Sequence, residues 1–135
     1  PIILAEIRRR VARLLGYAPG DRRARPAVPA VVVEVPLLFE AGSPALALVD
    51  AVVVVWADPA RCLERARARG LAPQEAALAI EAQWPLARKR RLADWVIDNS
   101  GALEKTRRQV EWIWKVLASQ CASPWWPMTR RRVSR

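Results

Sequence analysis

The sequence predicts an α/β domain, a parallel sheet with helices on both faces, and three observations carry that prediction. Two runs of consecutive aliphatic residues, in Val31–Val35 and Ala51–Trp56, lack apolar–polar alternation. Such runs describe strands buried on both faces, the habit of parallel sheets. Segments with a 3.6-residue period stand before, between and after further strand-like words. The resulting order of strand, crossover, strand, helices, strand and helix is an α/β pattern.

Each element has its own signal. Residues 2–15 place Ile3, Ile7, Val11 and Leu14 at helical spacing, with Arg8, Arg9, Arg10 and Arg13 on the other faces. Gly16 stands where a left-handed cap ends a helix. Residues 17–29 hold three prolines, one glycine and three arginines and are predicted to be a loop. The strand Val31–Val35 then stops at Pro36, and residues 43–50 make a short connection to the second strand, Ala51–Trp56. Asp58 is a good N-cap with Pro59 at the first helical position, so a helix runs from there to Arg69, closed by Gly70. Pro73 opens another, reaching about Trp84 before Pro85, and Leu86–Ala93 forms a short third one. Trp95–Asp98 reads as a third strand. Asn99-Ser-Gly101 then turns into a helix with Leu103, Val110, Ile113, Trp114 and Leu117 on one stripe. Residues 119–135, with Pro124-Trp-Trp-Pro127 and a run of terminal arginines, break the pattern and read as a poorly ordered basic tail behind a domain of residues 1–118.

Composition bounds the function. The chain has 135 residues, 53% hydrophobic and 27% charged, which fits one globular domain and excludes a disordered chain. No apolar run is long enough to span a membrane and no signal-peptide layout opens the sequence. The first residue is Pro1 and not Met, so a fragment or a processed product is expected. Two cysteines, Cys62 and Cys121, and no histidine exclude a zinc site and point to free thiols in a reducing cytoplasm. The net charge is +10, with 20 Arg against 3 Lys. A basic surface attracts polyanions, but a GC-rich coding sequence produces the same excess, so each arginine is weighed singly.

In parallel sheets ligands bind beyond the carboxyl ends of the strands. Pro36, Leu37, Leu38, Phe39 and Glu40 stand at such an end. Leu37 and Leu38 could equally complete the core, while Glu40 could accept a hydrogen bond from a ribose hydroxyl or orient a basic side chain. Arg65 and Arg69, four apart, share a helix face, where they could clamp phosphate oxygens or be solvated. Arg88-Lys-Arg-Arg91 could pass for a nuclear-localisation or RNA-binding patch, but charge runs are usually solvated faces and it reads as one. Asn99-Ser100-Gly101 could offer free backbone N–H groups to a base or ribose, or be a turn with a serine cap. The seven tryptophans lie on different elements and read as filler, not as a stacking platform.

Pro36-Leu-Leu-Phe-Glu40 behind a buried strand resembles the dephospho-CoA kinase family. Four further words support that resemblance in the same order. Pro1-Ile-Ile-Leu-Ala-Glu-Ile7 is similar to the stretch after the family's His-Pro pair, with Leu4 where Arg is frequent. Asp58-Pro-x-x-Cys62-x-x-Arg65-x-x-x-Arg69 resembles the lid helix, which usually carries Gln in place of Cys62. Ala79-Ile-x-x-Gln83-x-Pro85 has Ala79 where the family has Arg, and Lys89-x-x-x-Ala93-Asp94-x-Val-Ile-Asp-Asn99-x-Gly101 is closely similar to the family's word.

The resemblance implies a three-layer P-loop kinase core with a helical lid. It implies transfer of the ATP γ-phosphate, with magnesium, to the ribose 3′-hydroxyl of dephospho-CoA, the last step of coenzyme A synthesis, in the cytoplasm. Dephospho-CoA and ATP are the expected partners, and nucleic acid is not. Pro36 to Glu40 would touch the acceptor, Arg65 and Arg69 the ATP phosphates, and Asn99 and Gly101 the adenine side. The sequence has no Gly-x-x-x-x-Gly-Lys-[Ser/Thr]. The family's phosphate loop and catalytic Asp belong to an N-terminal third that this sequence lacks, so no catalytic base or metal ligand is named. The phosphate-loop strand would lie between the counterparts of Val31–Val35 and Val52–Trp56, and the fold would need it. Two other readings stay open from the residues: a degenerate, non-catalytic module binding nucleic acid or anionic surfaces through its arginines and Trp-rich tail, and another nucleotide or nucleoside kinase.

Overall fold

A computed structural model of the chain describes residues 2–16 and 30–121. Its elements in chain order are α1 (Ile2–Leu15), α2 (Ser43–Leu46), β1 (Val53–Trp56), α3 (Pro59–Ala68), α4 (Pro73–Glu81), α5 (Leu86–Leu92), β2 (Trp95–Asp98) and α6 (Leu103–Cys121). The α/β class holds. β1 and β2 pair in parallel, with Val53 opposite Trp95 and Trp56 opposite Asp98, and α3, α4 and α5 form the crossover between them. The predicted loop at 17–29 and the tail from residue 122 lie outside the described residues. Residues 119–121, assigned to that tail, continue α6.

Local chemistry explains the boundaries. Asp58 accepts a hydrogen bond from the Ala60 N–H at 2.9 Å and caps α3 behind Pro59. Glu75 accepts one from the Ala72 N–H at 3.0 Å and starts α4. Gly16 closes α1 at φ 73°, a conformation that costs most residues a Cβ clash. Two features differ from expectation. Ser43–Leu46 forms a single helical turn within the predicted connection, entered through Gly42 at φ 73° with Pro44 in the first turn. α4 ends at Glu81 and not near Trp84, because Gln83 and Trp84 are drawn into bonds with Lys89 and Glu40.

The core is small and sits under the start of the sheet. Phe39, Val52 and Val54 are buried together, packed by Leu38, Leu46, Val49, Trp84, Leu92 and Ala93. Asp94 fixes the entry to both strands. Its carboxylate accepts from the Val52 N–H at 2.7 Å, while the N–H groups of Asp94 and Trp95 donate to the Val52 carbonyl. The Val52 N–H thus goes to a side chain and not to a neighbouring strand, and β1 begins at Val53, two residues later than Ala51.

Val31–Val35 corrects the expectation of a strand. The segment has no ladder partner among the described residues. Its side chains nevertheless alternate, with Val31, Val33 and Val35 half-buried and Val32 and Glu34 exposed, the period of an extended chain. A mainly apolar cavity of about 630 Å³ explains the missing ladder. It is lined by residues 32–36 on one wall and 51–55 on another, with residues of β2 and α6 and the Gln83–Lys89 stretch among the rest of its lining. β1 is likewise not buried on both faces: Val53 and Val55 are 38% and 55% exposed while Val52 and Val54 are buried. The α6 stripe read from the sequence is real, but part of it faces this cavity, which leaves Val110 and Trp114 exposed.

Unpaired strand edges beside exposed aliphatics are adhesive. The isolated 135-residue chain should therefore self-associate or precipitate. Sedimentation velocity and thermal melts test this, and a monodisperse monomer with one cooperative transition contradicts it.

Candidate functional site

Two polar clusters stand beyond the carboxyl ends of the strand-like segments. The first is built on residues 36–42, a succession of tight turns in which Leu38, Ala41 and Gly42 N–H groups donate back to Val35, Leu37 and Phe39 carbonyls. Phe39 points into the core and stacks on Trp84, with centroids 6.4 Å apart. Leu38 packs against that core, whereas Leu37 is 50% exposed. Pro36 is exposed but turns its carbonyl to the Lys89 ammonium at 3.2 Å.

Glu40 is the chemical centre of this loop. Its Oε1 accepts from the Trp84 N–H at 2.8 Å and pairs with Lys89 Nζ at 2.8 Å. Its Oε2 is buried with no hydrogen-bond partner. Of the two roles open to Glu40 from the sequence, orienting a basic side chain is the one its contacts make. Burial pushes the carboxyl up, but the hydrogen bonds from Lys89 and the Trp84 N–H outweigh it, and Glu40 titrates below its ordinary value.

Lys89 corrects the reading of residues 88–91 as a solvated face. It is only 5% exposed, and its ammonium also donates to Gln83 Oε1 at 3.0 Å. Its neighbours lie on aromatic faces: the Arg88 guanidinium is 3.5 Å from the Trp84 ring centroid and that of Arg90 is 5.3 Å from the Trp56 ring. The signal for Lys89 was present as helical spacing, since Leu86, Lys89 and Leu92 recur every three residues and turn the same way as the core.

The second cluster joins α3 to the turn after β2. The half-buried Arg65 donates to the Asn99 carbonyl at 2.8 Å. Arg69 is exposed and donates to the Arg65 carbonyl at 3.3 Å, so the two arginines are neighbours but differently engaged. The turn corrects the idea of free N–H groups. The Asn99 N–H continues the sheet to the Trp56 carbonyl at 2.7 Å, and the Ser100 N–H is held by Asp98 Oδ1 at 2.9 Å. Ser100 Oγ in turn accepts from the Asp58 N–H at 2.9 Å, tying the turn to the start of α3. Asn99 Oδ1 accepts from Thr106, and Gly101 is exposed. Hydrogen bonding to Ser100 holds the Asp98 carboxyl below its usual range. No hydrogen bond or ion pair joins the two clusters among the described residues. No group of three or more His, Cys, Asp or Glu side chains able to hold a metal occurs among them either.

The fold and this geometry define a parallel α/β domain with a buried carboxylate–ammonium pair and an arginine-bearing helix at the strand ends, the region where such folds hold ligands. The chain belongs to the dephospho-CoA kinase family, whose model matches residues 2–105. It is 44% identical over 116 residues to a dephospho-CoA kinase of Symbiobacterium thermophilum, covering 85% of this chain and 44% of that protein. It is 39% identical over 121 residues to one of Carboxydothermus hydrogenoformans, covering 85% and 53%. It is 43% identical over 111 residues to one of Syntrophotalea carbinolica, covering 82% and 47%. The chain thus spans about half the length of the curated relatives it matches. No described helix is long and apolar enough to cross a membrane.

The depressed Glu40 carboxyl gives a pH prediction. A carboxyl lowered on folding stabilises above its unfolded pKa, and that stability is lost as pH falls through the folded value. In a full-length kinase rebuilt by joining this chain to the N-terminal part of a relative, Glu40→Gln should cost about 1–3 kcal/mol at neutral pH. It should also flatten the fall of melting temperature towards acid. Parallel acid limbs in parent and variant would show that the pair contributes nothing.

Proposed function

We propose that this chain supplies the acceptor loop and the lid arginines of a dephospho-CoA kinase. The reaction breaks the bond between the ATP γ-phosphorus and its bridging oxygen, forms one to the ribose 3′-oxygen, and releases the hydroxyl proton. Glu40 carries the reading. Held by Lys89 and the Trp84 N–H, its carboxylate fixes the 36–42 loop at a strand end, where such folds hold ligands. Pro36 and Leu37, both exposed, would shape the surface that meets the acceptor, while Leu38 and Phe39 anchor the loop from the core.

Arg65 and Arg69 fit the charge that develops in the transfer. A guanidinium has five N–H donors in a planar fork, and the bond to Asn99 commits one group of Arg65 while aiming the helix at the strand ends. Phosphoryl transfer spreads charge over the equatorial oxygens and is accelerated by such clamps. Asn99 and Gly101 would lie on the adenine side. ATP is the phosphoryl donor in this reading. Magnesium would enter with ATP, whose phosphates and bound waters supply most of its ligands. The location is cytoplasmic, where a free thiol such as Cys62 stays reduced. The cavity between residues 32–36 and β1 suits the phosphate-loop strand that the family resemblance implies, since backbone on both walls would gain a partner.

The rebuilt full-length protein tests this. It should phosphorylate dephospho-CoA, and Arg65→Ala should lower kcat about 100-fold, with KM for dephospho-CoA changed far less, because the arginine acts on charge present mainly in the transition state. Equal turnover of parent and variant would remove Arg65 from the mechanism. Phosphorylation of nucleoside monophosphates in place of dephospho-CoA would replace the substrate assignment.

A further inference from the structure

Lys89 is the one charged residue that is buried among the described residues. Its Nζ meets three acceptors: Glu40 Oε1 at 2.8 Å, Gln83 Oε1 at 3.0 Å and the Pro36 carbonyl at 3.2 Å. An ammonium has three donors and no acceptor, so the set is complete. The acceptors come from two separate segments. Pro36 and Glu40 bracket the turn-rich loop, whereas Gln83 stands where α4 gives way to α5. α4 packs on α3, the helix that carries Arg65 and ends at Arg69. Trp84 binds the segments a second time, through its N–H to Glu40 and its ring to Phe39.

A buried charge is tolerated only while it is fully paired. Neither segment can move without leaving the ammonium or the carboxylate short of a partner. We propose that Lys89 is a positioning residue that locks the 36–42 loop to the junction of α4 and α5 and so holds that loop in the shape that receives the acceptor. The proposal rests on the reading of residues 36–40 as the acceptor loop. A compact ammonium suits three acceptors converging on one atom, which a planar guanidinium fork does not. Lys89 therefore should not be replaceable by arginine.

The test uses the rebuilt full-length kinase with Lys89→Met, Lys89→Arg and Glu40→Gln. Lys89→Met should raise KM for dephospho-CoA about tenfold, the loss of one well-placed hydrogen bond, while KM for ATP stays nearly unchanged. Lys89→Arg should not restore it. Amide hydrogen exchange should accelerate at residues 36–42 and 83–84 together and stay unchanged in α6. The double variant Lys89→Met with Glu40→Gln should be no worse than Lys89→Met alone, because the two residues act as one unit. Parallel changes in both KM values, a fall in melting temperature with unchanged kinetics, or faster exchange in one segment only would each overturn the proposal. If the parent does not phosphorylate dephospho-CoA, the functional reading fails, and the exchange comparison still decides whether the lock exists. Should Lys89→Met not fold, Glu40→Gln, which keeps the ammonium and its other two acceptors, carries the same kinetic and exchange comparison.

Discussion

Backbone pairing is the constraint on which the rest of this structure depends. A buried peptide group needs a hydrogen-bond partner, and a parallel sheet supplies partners only in the order in which its strands lie side by side. β1 and β2 satisfy each other over four residue pairs. Beyond the other side of β1 lie a cavity and then the alternating segment 31–35. The chain has committed apolar side chains from β1, residues 32–36 and α6 to one surface. This explains why Val110 and Trp114 stay exposed despite their stripe, and why few large side chains, Phe39, Ile97 and Ile113 among them, are buried.

The same constraint places the polar groups. Parallel pairing brings Trp56 and Asp98 into register, so the chain leaves both strands at the same end. Asp58 begins α3 there and Asn99 begins the turn to α6. Their closeness makes the Asp58–Ser100 and Arg65–Asn99 bonds possible across 42 and 34 residues of sequence. Arg65 is thus aimed by topology more than by its own helix. At the opposite end Asp94 and Val52 exchange bonds that fix where pairing starts. The register leaves little freedom in where the site's arginine can stand.

Much of the fold was legible because its signals are local. The Asp58-Pro59 start of α3, the Pro73 start of α4 and the bounds of β2 depend on caps, ring constraints and a short aliphatic run, and all appear where expected. What was not legible depends on distant partners. Val31–Val35 has the composition of a strand, but a ladder is a property of two segments, and composition reports only one. The early end of α4 follows from Glu40 and Lys89 capturing Trp84 and Gln83, more than 40 residues from one partner and six from the other. The candidate site was legible only as residues: the partners of Glu40 and Arg65 come from distant segments, and the Asn99 and Ser100 N–H groups are engaged, which sequence alone could not decide.

Lys89 shows why charge runs mislead. In Arg88-Lys-Arg-Arg91 all four residues look equivalent, and the commonest outcome for such a run is a solvated face. On a helix, however, residues three apart share a side, and the 86, 89, 92 row of α5 faces the core through Leu86 and Leu92. Placing a cation in that row is costly unless acceptors wait there. Here they do, from a carboxylate, an amide and a carbonyl. The flanking arginines reach outward and settle over Trp84 and Trp56, where the cations keep contact with solvent and ring faces together. One lysine is therefore structural in a way that its neighbours are not. The difference follows from helical phase and from acceptors that the turns at 36–42 and the end of α4 deliver to a single point.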